Sequence, residues 1–191
     1  MDASIQAQEM QPGRRWQRHL IGIILGLVIL LALIIAIRIA NEPREIPGVV
    51  VYNHQSRGHD DSFVARYSDL PPVGGIHHSQ HSNCGVYLSP VNPDMAIHSL
   101  EHGAVWITYY PELSGSEIKY LRNTVRDIEY LIISPFPGQK SPLVLTAWGL
   151  QLELNSVDDP RMIDFISRYR LGPIIPERGA SCVGGFGHPI P

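Results

Sequence analysis

The sequence predicts an α+β domain behind an N-terminal transmembrane helix, and two observations predict this class. One short segment near the start is almost wholly apolar, whereas the remainder has the composition of an ordinary globular domain. From residue 104 onward, strand and helix patterns follow the order strand, helix, strand, strand, helix, which is the split βαβ order. We therefore expect a small, mostly antiparallel sheet with two packed helices, and a ferredoxin-like arrangement as its most specific form. The chain has 191 residues, 44% of them hydrophobic, which suffices for one core.

The apolar segment runs from Leu20 to Ile37, 18 residues without a charge, of which fourteen are Leu, Ile or Val. As a helix it would rise about 27 Å, close to the hydrocarbon thickness of a bilayer. Arg14, Arg15 and Arg18 precede it, and this positive-inside bias favours a cytoplasmic N-terminus. We expect a single-pass anchor in the plasma membrane, with the C-terminal domain on the extracytoplasmic side.

The predicted organisation is a cytoplasmic tail over residues 1–19, an anchor over 20–40, a linker over 41–48 and an extracytoplasmic domain over 49–191. A cleaved signal peptide is the competing interpretation, but the apolar region is long for one and its end is a poor cleavage site. The membrane is thus the first predicted partner, through residues 20–37. The GxxxG spacing of Gly22 and Gly26 adds a homodimer or a membrane-protein partner as a weaker expectation.

Charge excludes one class of function and the cysteines suggest a compartment. The formal net charge is -3 and no long basic run is present, so nucleic-acid binding lacks its electrostatic footprint. Without the first 40 residues, 11 basic and 16 acidic residues remain, which makes the outer domain mildly acidic. Outside the cell its two cysteines, Cys84 and Cys182, are expected to form a disulfide, although Cys84 could instead serve as a metal thiolate.

The elements of the outer domain follow from composition and periodicity. The predicted strands are 49–52, 104–110, 130–134 and 143–148, with Ile174 and Ile175 as a further candidate. One helix is expected after Ser116 as its cap, with a buried stripe of Ile118, Leu121, Val125 and Ile128. A second helix begins at Asp159-Pro160 and ends near Gly172. Residues 53–95 show no sustained period and are expected to form a long, functional loop region.

Histidines dominate the chemistry that the sequence suggests. Nine are present, three of them as His77, His78 and His81, and two as His98 and His102. In an extended strand positions 98 and 102 would lie about 13 Å apart, whereas in a helical turn they come within about 6 Å. Gly103 has the residue type that ends such a turn, directly before the predicted strand. This segment is therefore predicted to be helical and to form half of a metal site.

Helical spacing makes His98 and His102, with Glu101 close by, the core of the predicted metal site. A further ligand could come from His77 or His81, and zinc or copper is the expected ion. Glu101 could be a ligand, a general base or the acceptor that orients an imidazole. His81, Cys84 and Met95 are further candidate donors, and sulfur would favour copper. Taken singly, each histidine is more often a structural residue that hydrogen-bonds the backbone.

Other histidines and one motif are given weaker interpretations. His54 and His59 are expected in a solvated loop, and His188 is taken as a bystander in a mobile tail. The letters His98-x-x-Glu101-His102 match the pattern of inverted zinc peptidases, with Glu177 as a conceivable third ligand. That pattern needs a long helix, and the strand composition directly after Gly103 argues against it.

Four strings carry a resemblance to a known family: LPPVGGIH (70–77), HSLEHGAV (98–105), SPFPG (134–138) and LTAWG (145–149). Together they resemble the family catalogued as domain of unknown function 3105, over about residues 46–182. The resemblance implies cysteines at the positions of Cys84 and Cys182 and tethering to a bacterial membrane. It singles out His77, His98, Glu101 and His102 as the predicted metal ligands, with His78 and His81 as local additions, and it implies no activity.

Three functions remain open at this point. The first is a membrane-anchored extracytoplasmic domain that binds a transition metal in metal handling or assembly. The second is a metal-dependent hydrolase with Glu101 as the base. The third is a metal-free scaffold protein of the cell surface in which the histidines are structural.

Overall fold

The computed structural model describes residues 13–40, 45–53, 55–62 and 69–190. The chain divides into two compact units, Met1–Glu45 and Ile46–Pro191. His54, the first part of the predicted tail and residues 41–44 of the predicted linker lie outside the described residues. The elements are α1 Arg14–Ala40, β1 Val50–Val51, β2 Arg57–His59, β3 Gly75–His77, β4 Gly85–Val86, α2 Pro93–His102, β5 Val105–Tyr109, α3 Gly115–Thr124, β6 Leu131–Pro135, β7 Leu143–Ala147, β8 Leu150–Leu154 and α4 Arg161–Tyr169.

Helix α1 contains the predicted apolar segment. Its stretch Trp16–Ile39 has a mean hydropathy of 3.4 over its most apolar window, none of which is buried against the protein. These 24 residues correspond to about 36 Å of helix. Among the described residues this is the one helix that is long and apolar enough to cross a membrane, a property that signal sequences share.

Six strands of the described residues form one mixed sheet in the order β1-β8-β7-β5-β6-β4. The pairs β1/β8, β8/β7 and β7/β5 are antiparallel, and the pairs β5/β6 and β6/β4 are parallel. The α+β class and the mostly antiparallel sheet are therefore confirmed. In a split βαβ unit a third strand separates the two parallel strands, whereas here β5 and β6 are direct neighbours. The ferredoxin-like expectation is not confirmed.

Both faces of the sheet are covered by helices. Alternate residues of a strand point to opposite faces. Ile107 of β5 accordingly lies in a core cluster with Leu121 of α3 and Phe165 of α4, whereas Trp106 lies in a second cluster with Leu100 of α2. The outer domain thus packs three helices on its sheet rather than the two expected, and the third is the helix that carries His98 and His102.

Several predicted elements need correction. Strand β8 was not predicted, although Leu150–Leu154 alternates apolar and polar residues with period two. It follows β7 after a turn of only two residues, Trp148 and Gly149, so no longer loop separates the two strands in the sequence. Ile174 lies in a turn and Ile175 in an irregular segment rather than in a strand.

The helix ends also differ from the predictions. Helix α3 is capped by Ser114 in a capping box with Glu117, not by Ser116. Helix α4 has Pro160 at its N-cap and ends at Tyr169, earlier than Gly172, since Arg170 is already extended.

Candidate metal centre

Helix α2 brings His98 and His102 onto one face. The side chain of Asn92 accepts a hydrogen bond from the Asp94 N–H, and Pro93 opens the first turn. At the other end Gly103 takes the left-handed conformation, with φ 109°. The rings of His98 and His102 lie with centroids 4.6 Å apart. The predicted turn ended by a glycine is therefore present, as the last turn of a ten-residue helix.

The glycine at this helix end is required by both conformation and space. A Cβ at position 103 would lie 2.7 Å from Leu171 Cδ2 and 3.2 Å from Leu171 Cα. We expect Gly103→Ala to destabilise the fold by about 1–2 kcal/mol from the left-handed conformation alone, with the clash against Leu171 adding to it. Urea unfolding of the full chain in detergent measures the loss.

Gly115→Ala is the matched control for this substitution. A Cβ at position 115 meets no atom within 4 Å, and the residue starts helix α3 without a positive φ. We expect it to change the free energy of unfolding by less than about 0.5 kcal/mol. Equal stabilities of the two variants would contradict the role given to Gly103.

The second element of the site is a short parallel pair of strands. In this pair β2 lies beside β3 with His59 opposite His77, and the two ring centroids are 4.7 Å apart. The ring of His59 also stacks on that of His98 at 4.7 Å. His59 is solvated as predicted, with a side chain 40% exposed, but it lies in strand β2 rather than in a loop, and its ring contacts those of His77 and His98.

Three imidazoles are held in the same way by backbone carbonyls. The Nδ1 atom of His77 lies 2.7 Å from the Gly75 oxygen, that of His98 lies 2.9 Å from the His78 oxygen, and that of His102 lies 2.6 Å from the Ser181 oxygen. A carbonyl oxygen only accepts, so each Nδ1 carries the proton and donates it. Nε2 is consequently the ring atom that each imidazole presents to the site, which is the orientation that carbonyl partners impose on metal-binding histidines.

The candidate ligand atoms form two groups. The first group is His59, His77 and His98, and the second group is His98, His102 and Glu177; within each, one ligand atom from every residue lies within 4.8 Å of the others. The structure thus divides the predicted ligands: His77 belongs to the first group, His102 to the second, and His98 to both.

Glu101 lies against the first group. Its Oε2 atom is 3.0 Å from His77 Nε2 and 3.6 Å from His59 Nε2, and its side chain is only 4% exposed. The Nε2 atom of His77 is fully buried and makes no hydrogen bond. The Nδ1 atom of His77 is engaged by the Gly75 carbonyl, so Nε2 is the ring atom that faces the carboxylate oxygen at 3.0 Å. Buried away from water, this carboxylate needs a positive charge beside it, either from a proton on Nε2 or from a bound cation.

His81 occupies the corresponding place beside the second group. Its ring centroid is 4.9 Å from that of His102, and its Nε2 is buried without a hydrogen bond. Burial lowers the pKa of His81, and the nearby His102 lowers it further. Burial also lowers the pKa of His98 to about 4, against the opposing effect of the His78 carbonyl. Both rings are therefore neutral at pH 7, the form that binds metals.

The C-terminal segment supplies the remaining parts of the site. The backbone N–H of Glu177 donates to the backbone carbonyl of Glu101, and that of Gly179 donates to the backbone carbonyl of His102, both at the end of α2. These two hydrogen bonds hold the segment against α2, where Glu177 Oε2 lies 3.5 Å from His102 Nε2. Bridges from Phe186 and Ile190 to residues 82 and 86 fix the rest of the segment, so the tail that carries His188 is packed.

The remaining candidate donors lie outside the two groups. Cys84 forms a disulfide with Cys182, with Cα atoms 5.3 Å apart, so its sulfur is not a thiolate. The ring of His78 lies beside Asp61 and accepts a hydrogen bond from the Gln80 N–H. His78 contributes to the site only through its backbone carbonyl, which accepts from His98 Nδ1. His188 lines a separate pocket with Tyr87.

A cleft of about 250 Å³ gives access to both groups. His59 of the first group and Glu177 of the second group line it together with Arg57, Gly58, Glu101 and Pro176.

Sequence reasoning missed His59 as a cluster member and discounted His81 and Glu177. His59 approaches His77 only through a strand pair, and Glu177 reaches His102 from 75 positions downstream. The inverted-peptidase pattern was the one signal that pointed to Glu177.

Fold and site together define an α+β domain with an N-terminal apolar helix and a largely buried histidine cluster that is exposed at His59; the cluster comprises His59, His77, His81, His98 and His102. The chain belongs to the family described as protein of unknown function, DUF3105, whose sequence model matches residues 60–184. The resemblance seen in the sequence is thereby confirmed. Neither the curated proteins nor the solved structures yielded a match.

Proposed function

We propose that the chain is a membrane-anchored extracytoplasmic domain that binds a transition metal ion, zinc or copper, in metal handling or assembly. The observation that carries the proposal is the convergence of one ligand atom each from His59, His77 and His98, all within 4.8 Å of one another. The buried carboxylate of Glu101 lies beside them, 3.0 Å from His77 Nε2. A divalent cation bound there would be ligated by the imidazoles and would offset the buried negative charge.

The donor set agrees with this class of ion. Imidazole and carboxylate ligands suit zinc, and imidazole also suits copper, iron and nickel. A tetrahedral zinc ion with Zn–N distances of about 2.0–2.1 Å separates its ligand atoms by about 3.3 Å, so groups within 4.8 Å need only small side-chain movements to close on it. Since Cys84 is in a disulfide, one reason for preferring copper is removed, and zinc is the better fit.

The membrane location rests on α1 and on the disulfide. Helix α1 is long enough to span a bilayer, and the arginines that precede its apolar part favour a cytoplasmic N-terminus. Disulfides persist in oxidising compartments, which supports an extracytoplasmic position for Cys84 and Cys182. Dimerisation through Gly22 and Gly26 stays a prediction.

One experiment tests both parts of the proposal. The full-length chain, without a histidine tag, is expressed in bacteria, and the membranes are washed with alkaline carbonate before extraction and elemental analysis. We expect the chain to stay in the membrane fraction and to hold about one equivalent of zinc or copper, as tightly binding sites do. Less than about a tenth of an equivalent, even after dialysis against zinc and copper, would favour the metal-free scaffold. Release by carbonate would contradict the anchor and favour a cleaved signal peptide.

The cleft favours a metal-dependent hydrolase as the second candidate. It reaches Glu101, which lies near enough to the first group to act on a metal-bound water. Binding is preferred because Glu101 Oε2 already contacts two imidazoles. A metal-loaded chain whose hydrolysis of a test ester or peptide disappears in Glu101→Gln, with metal content unchanged, would reverse this preference.

A further inference from the structure

The two ligand groups share one residue. His98 is the member that the first and second groups have in common, and it lies 7% exposed between them. Its ring centroid is 4.7 Å from that of His59, 5.2 Å from that of His77 and 4.6 Å from that of His102. The histidine cluster is therefore a row with His98 at its centre rather than a single ring of ligands.

Each half of this row has the same components. The first group has Glu101 beside it and contains His77, whose buried Nε2 has no hydrogen-bond partner. The second group contains the carboxylate of Glu177 and has His81 beside it, whose Nε2 is likewise buried without a partner. A buried ring nitrogen without a hydrogen-bond partner therefore occurs on both sides, so each side offers a place for a cation.

His98 can serve only one side at a time. Its Nδ1 donates to the His78 carbonyl at 2.9 Å, so Nε2 offers the one lone pair that remains for a metal. An ion held by the first group takes that lone pair from the second group, and the reverse holds as well. Simultaneous occupation would require a doubly deprotonated bridging imidazole and the loss of the bond to His78.

Resting on the proposed metal binding, we propose that the histidine cluster contains two mutually exclusive metal positions that share His98, and that a single ion exchanges between them. The first position uses His59, His77 and His98, with Glu101 beside them. The second uses His98, His102 and Glu177, with His81 beside them. The ion moves by ligand exchange around His98 without leaving the protein.

The cleft opens onto both metal positions. His59 belongs to one position and Glu177 to the other, and their side chains are 40% and 47% exposed. Both line the same opening, so an ion that enters or leaves meets a ligand of either position first. A domain built in this way accepts and releases a divalent cation, as a metal-handling protein does, rather than holding it permanently.

Titration of the full-length, tag-free chain in detergent with Cu²⁺ tests the proposal, with electron paramagnetic resonance as the readout. Cu²⁺ in the first position is bound by three imidazole nitrogens, and Cu²⁺ in the second position by two imidazole nitrogens and a carboxylate. The two ligand sets give different nitrogen hyperfine patterns in the Cu²⁺ spectrum. We expect about one equivalent at saturation and two spectral species. His59→Ala should leave only the two-nitrogen species, and Glu177→Gln only the three-nitrogen species.

Affinities provide a second, independent readout. When two equally populated positions share one ion, loss of one raises the apparent dissociation constant only about twofold. The double variant His59→Ala/Glu177→Gln should raise it at least about 100-fold, beyond the effect of removing an outer partner. Glu112→Gln, which removes one exposed carboxylate just beyond the far end of β5, is the charge-matched control and should change neither readout.

The outcomes separate this inference from the proposed function. Two equivalents of Cu²⁺ at saturation, or a spectrum that Glu177→Gln leaves unchanged, would overturn the exchange between two positions while metal binding stands. Failure of the chain to bind either Cu²⁺ or Zn²⁺ would overturn both.

Discussion

His98→Ala is expected to raise the dissociation constant for zinc at least about 100-fold, more than any other single substitution in the histidine cluster. The reason is that His98 belongs to both ligand groups, so that no alternative position remains when its ring is removed. The fold should persist, since the ring packs mainly on other imidazoles. Its loss leaves the His78 carbonyl without a donor, which costs about 1–3 kcal/mol. Competition against a chromophoric chelator measures the affinity, and circular dichroism monitors the fold.

His78→Ala is the matched control for His98→Ala. It also removes an imidazole from the same region, but it keeps the backbone carbonyl that holds His98, and the His78 ring belongs to neither group. We expect its zinc affinity to stay within about threefold of that of the unmodified chain, since no ligand is lost. Equal affinities for His98→Ala and the unmodified chain, with both folded, would show that His98 is a structural residue.

The sequence predicts the local half of this site and not the distant half. His98, Glu101, His102 and Gly103 lie within six residues, so helix periodicity and the conformational preference of glycine suffice to bring the two rings together. The predicted proximity of His98 and His102 requires only that residues 98–102 are helical. It is therefore correct although the start of α2 at Pro93 was not predicted.

The distant half depends on contacts between segments that no period reveals. His59 and His77 meet because two three-residue strands pair in parallel, and each strand is too short to show alternation. Glu177 reaches His102 because its own N–H is bonded to the end of α2. For the same reason the class of the fold was predictable, whereas the strand order, with β5 directly beside β6, was not.

Removal of the disulfide, in the double variant Cys84→Ser/Cys182→Ser, is expected to cause the largest loss of stability. The bond closes a loop between residues 98 positions apart. In the loop-entropy description such a bridge stabilises the folded state by about 4–5 kcal/mol. Typical domains have about 5–15 kcal/mol in total, so the variant should unfold at a much lower urea concentration.

The same variant should weaken one metal position more than the other. Cys182 follows Ser181, whose carbonyl holds the Nδ1 atom of His102, and the segment before it carries Glu177. His77 is oriented instead by Gly75, which lies nine residues before Cys84, whereas Ser181 is the direct neighbour of Cys182. At urea concentrations where the variant stays folded, we therefore expect Cu²⁺ to shift toward the three-nitrogen species. The same shift is expected when the disulfide of the unmodified chain is reduced, its thiols are alkylated and the reductant is removed before Cu²⁺ is added. A spectrum unaltered by either treatment would mean that the segment holds its place through its hydrogen bonds to α2 alone.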